Sequence, residues 1–113
     1  MLTAETKMKD RICYTVNHEG MVTWISKSVF EIMGWHPEEV IGKHFFFFIH
    51  PDHHEDMVQR RINRKAGITD EYLTEVLRKD GSREPVRIRA LQTPENTVGM
   101  IDRRLKQRDR ESY

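Results

Sequence analysis

The chain has 113 residues, of which 37% are hydrophobic and 33% charged, and this length allows one domain with little room for a second. Nineteen Lys and Arg residues against eighteen Asp and Glu residues leave a formal net charge of +1, which argues against a dedicated nucleic-acid binder. A single cysteine, Cys13, excludes an internal disulfide framework, and no apolar run approaches the roughly 18 residues that a membrane span needs.

The two ends of the chain are more polar than its middle. Residues 1–11 predict an N-terminal cap or flanking helix, residues 12–103 the domain itself, and residues 104–113 a linker toward something missing downstream. No charged-then-apolar leader opens the chain, so we expect a cytoplasmic protein without membrane contact. Nucleophile-elbow, P-loop and HExxH patterns are absent from the sequence, so we expect no enzymatic activity in this segment.

A hairpin and two short helices are predicted for the first half of the domain. Residues 12–25 contain two β-branched and aromatic runs, ICYTV and MVTWI, on either side of a turn that ends at Gly20. Residues 28–34 open with the spacing of a capping box, SVFE, and close on a glycine, which predicts one helix. Residues 37–42 predict a further helical turn with proline at its start.

The clearest helix is predicted over residues 51–66. Acidic residues fill its first turns and basic residues its last turns, an order that matches the helix dipole. Val58, Ile62 and Ala66 recur at four-residue spacing. We therefore expect them to form the buried stripe of this helix, with Met57 beside it.

Three strands are predicted for the second half. Residues 71–78 form the first, and the Asp-Gly pair that starts at Asp80 is a strong hairpin signal. Apolar and basic residues alternate along the returning strand, and residues 97–101 form the last one. The order of two strands, helices and three strands indicates an α+β fold, in which helices cover one face of a five-stranded antiparallel sheet.

Four phrases, in this order, resemble the PAS domain family. They are NHEGMVTWI at residues 17–25, SVFEIMGW at 28–35, EEVIGK followed by FIHPD within 38–52, and LRKDGS at 77–82. The resemblance covers residues 12–103 and implies a sensory module that binds a small ligand between sheet and helices or dimerises without one. PAS domains regulate a downstream effector in the same chain, such as a histidine kinase or a diguanylate cyclase.

The resemblance also implies where the ligand and the signal would lie. The predicted cavity is lined by Val16, Ile25, Phe30, Met33, Ile49, Met57, Ile62, Ile88 and Met100. The predicted signal exit, at the end of the last strand, consists of Asp102, Arg103 and Arg104. The four rings of Phe45–Phe48 cannot all face one core, so some are expected to line a cavity, pack under neighbouring segments or contact a partner.

A ligand-free module that forms a homodimer is the main alternative. Its interface would combine the N-terminal segment with the outer face of the sheet, through Leu2, Met8, Leu73, Leu77, Leu91 and Ile101. Exposed apolar side chains on such a face would form the contact between two copies of the chain. In that case the predicted cavity is simply part of the core.

A second alternative is a metal or haem sensor. His50 and His54 are the candidate ligands, because His53 and His54 are adjacent on a helix and point about 100° apart. The cofactor itself stays open: we expect none to be tightly bound, with haem or non-covalent flavin as the alternatives. Because residues 44–50 contain no cysteine, the covalent flavin photocycle of light-sensing PAS domains is excluded.

Overall fold

The computed structural model describes residues 10–104, and these contain five strands and three α-helices. The strands are β1 Arg11–Val16, β2 Val22–Ile25, β3 Thr69–Leu77, β4 Arg83–Gln92 and β5 Thr97–Arg103. The helices are α1 Ser28–Met33, α2 Pro37–Val40 and α3 His54–Asn63, with 3-10 helices at Phe45–Phe48 and Pro51–His53. None of the described helices is long and apolar enough to cross a membrane.

The strands form one antiparallel sheet in the order β2-β1-β5-β4-β3. The helices lie between β2 and β3 in sequence, and their apolar residues join those of one sheet face in a single core. The predicted α+β architecture is thereby confirmed. The last strand, β5, occupies the centre of the sheet, so the predicted signal exit leaves from between β1 and β4.

The start of α1 differs from the predicted capping box. Its N-cap residue is Lys27, which has helical backbone angles and makes no capping hydrogen bond. The hydroxyl of Ser28 donates to the Arg11 carbonyl instead, and Ser26 Oγ accepts from the Cys13 amide at 2.9 Å. The two serines therefore fasten the start of α1 to β1. The predicted end is confirmed, since Gly34 has a φ of 85° and closes the helix.

The long helix is shorter than predicted and buries another face. It begins as a 3-10 turn at Pro51–His53 and ends at Asn63, because the backbone of Arg64 is extended. Val58 and Ile62 are 40% and 68% exposed, so the predicted stripe is wrong. The inward residues of α3 and its end are Met57, Arg61 and Arg64, spaced by four and three positions. Ala66 lies beyond the helix and is exposed.

Candidate functional site

A small cavity lies between the inner face of the sheet and α3. Its volume is about 30 Å³, which is space for about two water molecules. The wall combines apolar side chains with two tyrosines, two arginines and a threonine. The lining residues are Tyr14, Val16, Phe45, Phe48, Ile49, Met57, Arg61, Arg64, Tyr72, Ile88, Thr97 and Ile101.

Four of the residues predicted to line the cavity do so, namely Val16, Ile49, Met57 and Ile88. Ile25 and Met33 are buried in the core away from it. Three others need correction, and their placements follow from which side of each element faces inward. Phe30 lies on the exposed side of α1, Ile62 lies on the exposed side of α3, and Met100 lies on the outer face of the sheet.

The side of α1 explains the first correction. Val29, Ile32 and Met33 are buried, which turns Phe30 outward, where it is 46% exposed and stacks on the His36 ring at 4.3 Å between centroids. The alternation of side chains along β5 explains the third correction, because Met100 and Ile101 are neighbours and lie on opposite faces of the sheet. Ile101 is 1% exposed and faces the cavity, so it does not belong to the outer face on which the dimer prediction placed it.

The sequence reasoning missed eight lining residues. Some had a readable signal, since Tyr14 alternates with Ile12 and Val16 along β1, and all three are buried. The structure also shows where the four rings of Phe45–Phe48 lie. The first and last rings line the cavity, and the middle two are partly buried against the core. The arginines gave no such signal, because charged residues on a helix ordinarily face solvent.

Tyr14 crosses the middle of the sheet and covers Gly99, its partner in register on β5. A Cβ atom at Gly99 would overlap the Tyr14 ring and lie 2.7 Å from its Cε2. Burial raises the pKa of the Tyr14 phenol far above its ordinary value, so the group stays neutral. On the same face of the sheet, the buried Tyr72 hydroxyl donates to Met57 Sδ at 3.7 Å. The glycine therefore provides the space that the Tyr14 ring occupies.

Arg61 brings a positive charge to the cavity wall. Its Nη2 donates to the carbonyls of His18 at 3.2 Å and Asn17 at 3.4 Å, and its guanidinium lies 5.2 Å from the Phe45 ring centroid. Burial, followed by the charge of neighbouring Arg64, lowers the pKa of Arg61. No carboxylate of residues 10–104 forms an ion pair with it.

Arg64 is deeply buried, with a side chain only 4% exposed. Its Nη2 donates to Asp70 Oδ2 at 3.1 Å, while Arg60 donates to the other oxygen of the same carboxylate at 2.9 Å. The Nε of Arg64 is buried and has no hydrogen-bond partner in the described part of the chain. A buried donor without a partner is costly, and it marks this wall as incomplete.

The predicted exit residue Asp102 faces the outer side of β5 and joins three strands. Arg11 of β1 donates to both its oxygens, at 2.7 and 3.2 Å, and Arg89 of β4 donates at 3.0 Å. Burial alone would raise the pKa of Asp102, but the hydrogen bonds from Arg11 and Arg89 outweigh it and hold the pKa below its ordinary value. Asp102 therefore ties the end of β5 to both neighbouring strands.

The next two residues continue these contacts on the other face and along the backbone. Arg103 donates through Nε to Glu84 at 3.1 Å, and this buried carboxylate is also paired with Arg78. The backbone amide of Arg104 donates to the Pro85 carbonyl at 3.3 Å. The end of β5 is thus held by side chains on both faces of the sheet, and these side chains lie six residues or fewer from the cavity-lining Thr97 and Ile101.

Three of the four ring nitrogens of the candidate metal ligands, His50 and His54, have other partners. His50 Nδ1 accepts from the Asp52 amide at 3.1 Å, and its Nε2 is 2.7 Å from Arg83 Nη2. His54 Nε2 lies 2.8 Å from the Ile49 carbonyl, and its ring stacks on Phe46 at 4.0 Å. Within residues 10–104, no three His, Cys, Asp or Glu side chains are grouped to hold a metal ion. The structure therefore does not support a metal centre at these histidines.

Neither haem nor flavin fits the cavity as it stands. Pockets for drug-sized ligands measure roughly 300–1,000 Å³, whereas this cavity measures about 30 Å³. None of its lining residues is a histidine that could bind haem iron, and both candidate histidines lie outside the lining. The residues present accordingly suit a very small ligand.

The outer face of the sheet carries an exposed apolar row. In register across four strands stand Trp24, Thr15, Val98 and Leu91, and the exposed fractions of Trp24, Val98 and Leu91 are 49%, 42% and 36%. Leu73, on β3, is also exposed, as the dimer prediction requires. Leu2 and Met8, which the same prediction names, lie outside the described residues.

Comparisons with known proteins agree with this geometry. Three solved structures share the fold: a PAS domain of an HTR-like protein from Haloarcula marismortui, the N-terminal domain of a diguanylate cyclase with PAS/PAC sensor from Marinobacter aquaeolei, and a PAS domain from Colwellia psychrerythraea. In that order, the TM-scores are 0.74, 0.70 and 0.72, and the identities 18%, 17% and 16%. The alignments cover 90%, 82% and 93% of this chain and 87%, 94% and 98% of the other chains.

A search of curated proteins finds no match. A family model described as PAS domain matches residues 10–102, which is most of the chain. The match spans the whole sheet except the last residue of β5, and it includes every residue that lines the cavity. The chain therefore belongs to the PAS domain family, and its described residues form a sensory module.

Proposed function

We propose that this domain senses a small ligand in the cavity between the sheet and α3, and that β5 carries the response to the chain beyond Arg104. The observation that supports it is the double role of β5. Its inward residues Thr97 and Ile101 line the cavity, while Asp102 and Arg103 hold the strand's end to its neighbours. A ligand that displaces Ile101 would alter those contacts and shift the equilibrium between two conformations of the end of β5.

A fragment screen by NMR on the 113-residue chain tests this proposal. We expect ligands that shift the backbone amides of cavity residues to shift those of Asp102–Arg104 as well. Ligands that perturb the cavity without any change at these three residues would contradict the proposal that the signal leaves through Asp102–Arg104. A complete lack of fragments that bind the cavity would contradict the sensor.

A pair of variants on the same strand provides the control. Thr97→Ile adds bulk at the cavity wall, whereas Val98→Ile adds similar bulk on the outer face. We expect Thr97→Ile to abolish fragment binding and Val98→Ile to leave it unchanged. Equal binding to both variants would place the ligand outside this cavity.

We further propose that the effector regulated by this domain is a diguanylate cyclase or a histidine kinase. One structural relative is described as the N-terminal domain of a diguanylate cyclase with a PAS/PAC sensor. The expectation is tested in the full-length protein, where Asp102→Asn should change the effector's activity while the folded content of the domain stays constant. An unchanged activity would argue against transmission through Asp102.

A ligand-free dimerisation module is the second candidate function. The exposed apolar row of Trp24, Val98 and Leu91 favours it, because large apolar side chains in register on a sheet face are typical of an interaction surface. In this case two copies would pair through their outer faces, and the cavity would be only a packing defect of the core.

A further inference from the structure

We propose that the ligand of this cavity is a short-chain monocarboxylate, of the size of acetate or propionate, bound by Arg61 and Arg64. This inference rests on the proposed sensing function and specifies the chemical class of the ligand. Its basis is the combination of a very small cavity, two guanidinium groups in its wall and an unpaired buried donor. Arginine suits this role, since its planar donor array matches the geometry of a carboxylate.

The charges around the cavity leave a positive excess. Arg60 and Arg64 form ion pairs with the carboxylates of Asp56 and Asp70, and neither carboxylate pairs with Arg61. Burial, and after it the charge of Arg61, lowers the pKa of the nearby His44 ring, so this ring adds no positive charge of its own and cannot offset that of Arg61. An anion bound beside Arg61 would neutralise this excess.

The hydrogen-bond donors point to the same ligand. Arg61 forms hydrogen bonds with the described residues only through Nη2, and the acceptors are backbone carbonyls at 3.2 and 3.4 Å. Arg64 keeps Nε free in a side chain that is almost entirely buried. Two carboxylate oxygens would give Arg61 a charged acceptor and the Nε of Arg64 a partner, with hydrogen bonds of the stronger, charge-assisted kind.

The rest of the wall sets the size of the ligand and the character of its tail. Met57, Ile88 and Ile101 are apolar and nearly inaccessible to solvent, so they favour a hydrocarbon group over a second charge. Space for about two water molecules restricts the ligand to the smallest carboxylates. A dicarboxylate or a phosphorylated metabolite would exceed both limits.

Titration of the 113-residue chain with sodium acetate and sodium propionate, followed by ¹H–¹⁵N NMR of the arginine Nε–H groups, tests the proposal. We expect the Nε–H signal of Arg64 to move on saturation. Affinity should be roughly millimolar, because so few ligand atoms make contacts. Acetamide, which has the shape of acetate without its charge, should leave the signal in place. Sodium nitrate distinguishes a general planar-anion site from one that requires the hydrocarbon tail.

Matched variants separate binding from folding. Arg61→Gln should weaken acetate binding about ten-fold or more, as expected for loss of a charged hydrogen-bond donor. Arg87→Gln removes the same charge from the outer sheet face, where Arg87 is exposed, and should bind acetate normally. Thermal unfolding establishes that both variants are folded. If Arg61→Gln is unstable, Arg61→Lys, which retains the charge but not the planar array, takes its place with the same expected weakening.

The outcomes are distinguishable from failure of the sensing function. Equal binding of acetate and acetamide, or a nitrate response as strong as that of acetate, would overturn the carboxylate assignment and leave small-ligand sensing intact. If neither these probes nor any fragment of the broader screen perturbs the cavity, both proposals fail. A charge-dependent shift at Arg64 that Arg61→Gln abolishes would support the assignment.

Discussion

The carboxylate of Asp102 accepts hydrogen bonds from arginines on two different strands, Arg11 of β1 and Arg89 of β4. The Arg11 contact is bidentate, and such charge-assisted pairs are stronger than neutral hydrogen bonds. Each oxygen of the carboxylate is used. A neutral amide at this position would keep one acceptor and lose both the second acceptor and the charge.

We therefore expect Asp102→Asn to lower the free energy of unfolding by about 1–2 kcal/mol at pH 7. Because the pKa of Asp102 is lowered in the folded state, its contribution is present above the ordinary aspartate pKa of about 3.9 and is lost as pH falls through the folded value. Urea denaturation at pH 7 and at pH 3 should thus show a difference between the variant and the wild type that shrinks at the lower pH.

Glu71→Gln supplies the comparison for this measurement. Glu71 is half exposed and lies 3.6 Å from Arg87 on the outer face, a distance at which an exposed ion pair contributes little. Its effect should stay within about 0.5 kcal/mol at both pH values. A difference between Asp102→Asn and the wild type that is the same at pH 3 and pH 7 would refute the role of the ionised carboxylate.

The contact between Gly99 and Tyr14 gives a second residue-scale prediction. Gly99→Ala should destabilise the domain by about 1–3 kcal/mol, because its Cβ would overlap the Tyr14 ring and force the surrounding core to shift. In a Tyr14→Leu background the same change should cost less, since the overlapping ring is gone. Urea denaturation of the two single variants and the double variant measures this coupling. Equal costs in both backgrounds would contradict it.

At the scale of elements, α3 shows where sequence patterns succeed and where they fail. Its existence and its charge order along the dipole could be read from residues 51–66, and β-strand alternation likewise predicted the buried Val86 and Ile88. Its buried face could not be read. Periodicity assigns apolar residues inward, whereas here the cavity wall takes Arg61 and Arg64 and leaves Ile62 in solvent.

The same element carries a stability prediction. Met57→Ala should lower the free energy of unfolding by about 2–5 kcal/mol, because Met57 is 3% exposed and its removal leaves a void. Ile62→Ala should stay within about 0.5 kcal/mol, since that side chain is 68% exposed. Urea denaturation followed by tryptophan fluorescence compares them. Equal losses of stability in the two variants would mean that α3 buries the face predicted from the sequence pattern.

Strand phase is the second limit of the sequence reasoning. Met100 was predicted inward and Ile101 outward, and the structure reverses both. Because side chains alternate with a period of two, an error of one residue moves an entire strand to the opposite face. Both residues are apolar, so hydrophobicity alone could not decide between them; the decision comes from Gly99, whose lack of a side chain admits Tyr14.

For the whole molecule, the outer face of the sheet decides whether the domain is a monomer or a homodimer. If the apolar row forms the interface, Val98→Lys should shift the equilibrium toward monomer by about ten-fold or more in dissociation constant, because it places a charge in a desolvated contact. Ile62→Lys places the same charge on an exposed apolar position of α3 and should leave the dimer intact.

Light scattering coupled to size exclusion, across a range of protein concentrations, is the measurement. A wild-type protein that stays monomeric at the highest concentration would remove the dimerisation function from consideration. A dimer that Ile62→Lys disrupts and Val98→Lys does not would place the interface on the helical side instead. Either result leaves the cavity experiments unaffected, since those depend on the opposite face of the sheet.

The central place of β5 has a consequence for how the molecule is made. Within the sheet, the β1–β2 and β3–β4 hairpins are joined only through this strand, which is the last to leave the ribosome. Until residues 97–103 emerge, each hairpin has an unpaired inner edge, and an isolated hairpin is marginally stable at best. The complete sheet can therefore form only after β5 has been synthesised, and a nascent chain that stalls before Thr97 would expose two open inner edges to its neighbours.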